Sequence, residues 1–170
     1  MLTETDMLEL LKGKSLDFQI HNHNPLFTVE DSEKFRGEIK GAHTKNLFLK
    51  NKKNDFFLFS CDEKANIDLK RFSKSIDAKN LSFAGEKYLE TILGIKPGSV
   101  SPFALLNDQL NQVKFYLDEK LSISEFINFH PLINTTTINL KTNDFFNLML
   151  ENNKKINIFS LDTYSITKTL

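Results

Sequence analysis

The run NLFLKNKKNDFFLFSC, residues 46–61, decides how the chain is read. Two apolar segments, NLFLK and DFFLFSC, flank the polar stretch NKKND, which predicts a β-hairpin with a lysine-rich turn. Leu47, Phe48 and Leu49 follow one another with no polar residue between them. A strand with one wet face alternates, whereas an unbroken apolar run belongs to a strand covered on both faces. Immediately before it, Lys45 in HTKNLFLK (residues 43–50) stands at the mouth of the strand. Its side chain has two readings at this point. The stem can lie along the core while the ammonium reaches water, or the cation can sit at the rim of a pocket and meet an anion or a polarised carbonyl. On their own, Lys50, Lys52 and Lys53 in the turn read as a solvated loop that blunts a sheet edge.

Outward from the hairpin, the periodicity changes repeatedly. Met7, Leu8, Leu10 and Leu11 lie on one face of a short helix, with Thr5 or Asp6 as cap and Gly13 to end it. Leu16, Phe18 and Ile20 alternate with polar residues as in a half-buried strand, which runs into HNHNP at 21–25. A short helix through Phe35, ending before Gly37, follows, with Thr28 and Asp31 at capping-box spacing. Helices are expected over 68–76 and 88–93, the latter stopped by Gly94, and a short strand over 81–84. Residues 103–106 are read as a strand paired in a hairpin with 113–117. Two more strands, 126–129 and 135–140, surround the insert HPLIN. A helix over 145–150, capped by Thr142 or Asn143, leads to a last strand at 156–158. Hairpins alternate with helices and no regular βαβ repeat appears. The expected fold is a compact α/β domain over residues 1–160, with a curved mixed, mostly antiparallel sheet flanked by helices. Residues 161–170 read as a polar tail.

The chain has 170 residues, with 22 Lys plus Arg balanced by 22 Asp plus Glu. That length suits one core, and zero net charge restricts any nucleic-acid contact to a local patch. One cysteine, Cys61, excludes an intrachain disulfide and a Cys-based zinc cluster, and fits a reducing cytoplasm. No apolar run reaches membrane-spanning length. Sixteen Phe and no Trp make phenylalanine the main aromatic filler of the core.

No nucleophile elbow, P-loop or cysteine–histidine signature is present. His21 and His23 share a strand face, but without a carboxylate or thiolate partner they read as a hydrogen-bonded turn rather than a metal site. The loop IKPGSVSP (95–102) brackets Gly98, Ser99, Val100 and Ser101 between two prolines. It is stiff, and its backbone N–H groups can converge on an anion or a developing oxyanion. In NFHPLINTTT (128–137), Pro131 biases His130 towards an extended backbone, from which its ring can face a ligand.

Taken together, Lys45 in TKNLFLK, the GxxxP loop from Gly98 to Pro102 and His130 in NFHPLINT resemble the YbaK-like aminoacyl-tRNA deacylases. The likeness is greatest to their freestanding prolyl-tRNA-editing branch, and HNHNPLFTVED resembles that branch's N-terminal segment. The likeness covers about residues 15–159, with the motifs in family order. It implies a trans-editing hydrolase that cleaves the ester of mischarged Ala-tRNA(Pro) at the tRNA 3′ end, a second sieve accepting alanine and rejecting proline. By resemblance, Lys45 contacts the terminal phosphate or the ester carbonyl, and Asn46 orients the substrate. Gly98 and Ser99 serve catalysis, and Val100, Ser101, Pro102, His21 and His23 bind substrate. His130 lines the small pocket, and a ribose hydroxyl helps to activate water. Lys50, Lys52 and Lys53 are then candidates for acceptor-stem phosphates. The resemblance implies no cofactor or metal, tRNA as partner, prolyl-tRNA synthetase as a second candidate partner, a monomer and a cytoplasmic site. A sieve for Cys-tRNA(Pro) and a non-catalytic tRNA-binding module are the alternative expectations.

Overall fold

Among the described residues, which are 1–25 and 39–170 of a computed structural model, nine strands form two sheets. The short helix expected through Phe35 lies outside the described residues. Helix α1 (Glu4–Gly13) opens the chain. Its cap is Thr3, not Thr5 or Asp6: Thr3 Oγ1 accepts from the Asp6 N–H and the Asp6 carboxylate accepts from the Thr3 N–H, which satisfies two helix-end donors at once. Strand β1 (Phe18–Asn22) pairs antiparallel with a later strand, Thr136–Lys141, which itself pairs antiparallel with Phe126–Phe129. This small sheet is separate from the one containing the hairpin, so the single curved sheet of the sequence reading resolves into two.

The hairpin forms as expected. Strand β2 (Thr44–Lys50) and strand β3 (Phe56–Asp62) pair antiparallel, with Lys45 opposite Cys61, Asn46 opposite Ser60 and Lys50 opposite Phe56. Helix α2 (Leu69–Ser75) is capped by the Asp68 carboxylate. Strand β4 (Ser82–Phe83) pairs only with the end of β2, at Leu49 and Lys50. A helical turn, α3 (Glu86–Tyr88), widens into a π-turn (Leu89–Leu93) and stops at Gly94, φ +64°. Strand β5 (Val113–Asp118), helix α4 (Glu119–Ser122), β6 (Phe126–Phe129), β7 (Thr136–Lys141), helix α5 (Thr142–Glu151), β8 (Ile156–Ser160) and β9 (Ser165–Thr169) complete the chain.

The larger sheet has the order β4-β2-β3-β5-β8-β9. Its outer pairings are antiparallel, while β3/β5 and β5/β8 are parallel. Three expectations change here. Residues 103–106 are not a strand. Pro102 opens a 3-10 helix (Pro102–Asn107) capped by Ser101, whose hydroxyl accepts from the Phe103 N–H; proline is pre-set for a first helical position. With no partner there, β5 enters between β3 and β8 in parallel. The supposed tail at 161–170 is a turn followed by β9, the sheet's last strand, and Leu170 exchanges backbone bonds with Ile156. Helix α5 starts at Thr142 with Lys141 as its cap residue and no side-chain cap bond.

Both faces of the larger sheet are covered along its inner strands, which is why β2 and β3 read as unbroken apolar runs. Phe48, Phe56, Leu58, Phe115 and Leu117 face one core with α1, the small sheet, the 3-10 helix and α5. Leu49, Phe57, Phe59, Cys61, Tyr116 and Phe159 face a second core closed by Phe72 of α2. There Phe72 stacks on Phe59 at 4.7 Å and meets Phe159 edge-on at 5.0 Å, contacts worth about 0.5–1.5 kcal/mol each beyond their area. Successive residues of β2 therefore belong alternately to the two cores.

Candidate active site

Residues 44–46 of β2 are the hub that joins the candidate elements. Asn46 Nδ2 donates to the carbonyl of Val100 at 3.0 Å, and Asn46 Oδ1 accepts from Ser60 Oγ at 2.6 Å. Two residues earlier, Thr44 Oγ1 donates to the Asn128 carbonyl at 2.8 Å. One strand segment thus ties down both the GxxxP loop and the strand that leads into His130, although more than 50 residues separate each pair in sequence. The strand period of two places Thr44 and Asn46 on the same face. Asn46 was expected to orient substrate. Here it has a donor bonded to the Val100 carbonyl and an acceptor bonded to Ser60, and so ties the loop to β2.

The loop is tightly held. Gly98 has φ +86°, a left-handed conformation natural to glycine, and it is exposed at the tip. Ser99 and Ser101 are buried, at 5% and 0% exposure. The Ser99 N–H donates to Lys96 O at 3.1 Å, closing the turn. Of the four N–H groups expected to converge on an anion, those of Gly98, Val100 and Ser101 remain without a partner among the described residues. Pro102 is buried as the first residue of the 3-10 helix, so its part is to end the loop rather than to touch a ligand.

Lys45 lies on the reverse face. Its Nζ donates to the carbonyl of Ala65 in the turn after β3, on the side of Cys61 and Leu47 and the second core. The tertiary structure therefore does not bring its ammonium to the GxxxP loop or to His130. Along residues 44–47, however, β2 bonds to β3 on one side and pairs with no named strand on the other among the described residues. The lysine stands at an open sheet edge. Opposite it, Cys61 is fully buried, and burial pushes its thiol up to about 12 despite the Lys45 charge. It is a core residue.

His130 follows β6, and its Nδ1 lies 2.8 Å from Thr136 O. A carbonyl only accepts, so Nδ1 carries the proton and Nε2 presents a lone pair. Among the described residues nothing bonds to that Nε2. Burial holds the His130 imidazole below the ordinary histidine value; the Thr136 bond opposes this and the nearby His23 adds to it. His23 packs at 5.8 Å between ring centroids. Both of its nitrogens are engaged, Nδ1 with Asn24 O at 2.8 Å and Nε2 with Thr137 Oγ1 at 2.9 Å. His23 thus packs against the His130 ring with both of its nitrogens engaged by protein. His21, in register with Thr137, has a buried Nε2 with no hydrogen-bond partner among the described residues. Between these elements the buried Leu132 takes φ +71°, a conformation that branched residues avoid. Among the described residues, no three His, Cys, Asp or Glu side chains converge as a metal-ligand set.

Sequence reading missed the clamp beneath this site. Asn128 Nδ2 donates to the carbonyls of Lys40 and Ala42, and Asn139 Nδ2 donates to Lys40 O and to Asn128 Oδ1. Both asparagines are buried. They fix the segment that enters β2, where Gly41 packs on the Phe126 backbone. The available signal was an asparagine within an otherwise apolar strand, FINF and TTINLK, a residue type depleted in strands. The turn lysines sit at the far end of β2: Lys50 Nζ donates to Asn54 Oδ1 and lies 5.3 Å from the Tyr88 ring centroid, while Lys52 and Lys53 are exposed. An open hollow of about 640 Å³, lined by Lys40, Asp62 and Glu125 among others, contains none of the expected site residues.

A strand-borne polar hub, a glycine loop with free N–H groups and a neutral histidine define a site for an anion or a polarised carbonyl. Residues 23–148 match the family model described as the aminoacyl-tRNA editing domain. The chain belongs to that family, within its prolyl-tRNA-editing branch, and so to the aminoacyl-tRNA deacylases, which are ester hydrolases. It is 34% identical over 130 residues to the prolyl-tRNA editing protein ProX of Acetoanaerobium sticklandii, covering 76% of this chain and 79% of that one. It is 31% identical to the prolyl-tRNA synthetase associated domain-containing protein 1 of Danio rerio, over 92% of this chain and 86% of that one. The fold matches the crystal structure of a candidate trans-editing enzyme for prolyl tRNA synthetase, with TM-score 0.67 and 15% identity, covering 93% of this chain and 97% of that chain.

Proposed function

We propose that the protein is a trans-editing deacylase that hydrolyses mischarged Ala-tRNA(Pro). The observation that carries this reading is the Asn46–Val100 bond, which fastens the GxxxP loop against β2 beside the Thr44–Asn128 link to the His130 strand. The N–H groups of Gly98 and Val100, without a partner among the described residues, receive the ester carbonyl and stabilise the charge that grows on its oxygen. The Nε2 lone pair of His130 accepts from the substrate's α-ammonium and orients it. Water adds to the carbonyl carbon with help from the neighbouring ribose hydroxyl. The ester C–O bond then breaks, the departing ribose oxygen takes a proton, and free alanine leaves.

For Lys45 to take part, its ammonium leaves Ala65 O and swings round the open edge of β2 to a phosphate or carbonyl oxygen of the terminal adenosine. Proline is rejected by size in the pocket beside His130. Lys50, Lys52 and Lys53 grip tRNA phosphates, a contact that weakens with salt. The protein acts as a monomer in the cytoplasm, with prolyl-tRNA synthetase as a candidate partner. The test is release of the amino acid from tRNA(Pro) carrying alanine, cysteine, serine or proline. Release of alanine alone supports the reading, and preferential release of cysteine replaces it with the other sieve. Saturable binding without hydrolysis of any ester makes the protein a binding module.

A further inference from the structure

The β4 edge carries a feature that hydrolysis does not explain. Phe83 is 63% exposed, while every other described phenylalanine is buried or half-buried. It pairs with Leu49, and directly paired residues share a sheet face. Leu49 shares its face with Leu47 and Lys45 by strand alternation. Phe83 and Lys45 thus stand on one side of the sheet, along its open edge. Beyond Phe83 the same edge ends in the hairpin turn with the exposed Lys52 and Lys53, while Lys50 faces the other side, over the Tyr88 ring. Across residues 50–55 and 79–87 there are five lysines and two carboxylates, in a chain of zero net charge. One of the two, Asp55, is exposed but has an oxygen engaged by Asn51 Nδ2 at 2.7 Å. Lysines alone are an ordinary way to blunt an edge, but an outward phenylalanine beside them is what such protection avoids.

Spacing gives the pairing a use. Four residues of strand separate Lys45 from Leu49, about 13 Å, and Phe83 lies one strand spacing, about 4.8 Å, to the side. At about 3.4 Å per stacked nucleotide, that span is about four nucleotides, the length of the unpaired tRNA tail that carries the ester. We propose that the β4 edge is a second tRNA surface, on which Phe83 stacks against the base where the unpaired tail meets the acceptor stem and Lys52 and Lys53 hold the stem phosphates beyond it. Aromatic stacking accepts any base, so this surface contributes affinity and alignment rather than sequence readout. The inference rests on the reading that Lys45 meets the tRNA 3′ terminus.

The experiment uses full-length tRNA(Pro) with 2-aminopurine at the last unpaired position before the stem, titrated with protein to read quenching and Kd, while alanine release is followed separately. Phe83 is exposed, so Phe83→Ala leaves the fold intact. The expected result is a roughly five- to 100-fold weaker Kd with loss of quenching, and recovery of both in Phe83→Trp. Lys52→Ala combined with Lys53→Ala lowers the salt dependence of binding without changing the quench. Unaltered Kd and quench in Phe83→Ala overturn the surface, whatever the hydrolysis data say. Quenching that depends on Phe83 without alanine release by the wild type upholds the surface and overturns the proposed reaction.

Discussion

Replacing Asn46 separates positioning from folding, because its two side-chain bonds run to different places. Asn46→Asp keeps an oxygen for Ser60 Oγ, which is fully buried and bonded at 2.6 Å, but removes the donor to Val100 O and sets a carboxylate against that carbonyl. Ser60→Ala does the reverse, sparing the Val100 bond. Losing one neutral hydrogen bond costs about 0.5–1.5 kcal/mol, and a buried group left unpaired about 1–3 kcal/mol. Ser60→Ala should therefore destabilise by about 1 kcal/mol, and Asn46→Asp by about 2 kcal/mol, read from urea midpoints. Activity should diverge far more. Freeing the loop displaces its N–H groups, and a misplacement of about 1 Å or the loss of one such donor costs about 100-fold in rate. The expected outcome is a drop in kcat/KM for Ala-tRNA(Pro) of about 100-fold in Asn46→Asp and under about threefold in Ser60→Ala. Equal losses in the two variants, or wild-type turnover in Asn46→Asp, would refute the positioning role.

Lys45→Ala should nearly abolish turnover while urea unfolding shifts by about 1 kcal/mol or less, because the lost contact is one half-buried hydrogen bond; a variant with normal activity removes Lys45 from the mechanism. His130 gives a pH signature. Its folded pKa lies below the ordinary 6.5, mainly through burial, so the unfolded chain takes up its proton first as pH falls. Its contribution to stability is full above 6.5 and is lost between 6.5 and the lower folded value. Urea midpoints measured from pH 7.5 down to 5 should show this slope in the wild type and a shallower one in His130→Asn. Gly41→Ala should be the most destabilising of these changes, by about 3 kcal/mol or more. Gly41 sits at φ +88°, and an added Cβ would come within 2.5 Å of Phe126 O. Thermal melting close to the wild type would show that this segment yields.

Much of the site was visible before any geometry. Lys45, the GxxxP loop and His130 stand in local contexts that carry their own signals: a cation before an apolar run, prolines around a glycine, and a histidine before proline. What stayed hidden was where each lies: the loop and the strand leading to His130 are tied to one face of β2, and the Lys45 ammonium bonds to Ala65 O on the other. The buried asparagines Asn128 and Asn139 act through carbonyls 86 to 99 residues away, and no local pattern encodes a partner at that separation. The same holds for His23, expected as a substrate ligand and found with both ring nitrogens occupied.

The sequence alone determined the hairpin at 46–61, most of the helices and the double burial of β2, because these follow from periodicity and turn chemistry within a short window. It also carried enough of the motifs to indicate the family. Only the tertiary structure decided that β5 joins the sheet in parallel, that residues 103–106 coil after Pro102, and that the last residues close the sheet as β9. Those outcomes depend on which edge is free once the other strands have paired. It decided, too, that Lys45 and Asn46 face opposite ways: adjacent strand residues point to opposite faces, and only the completed sheet gives each face its partners, Ala65 on one side and the Val100 loop on the other.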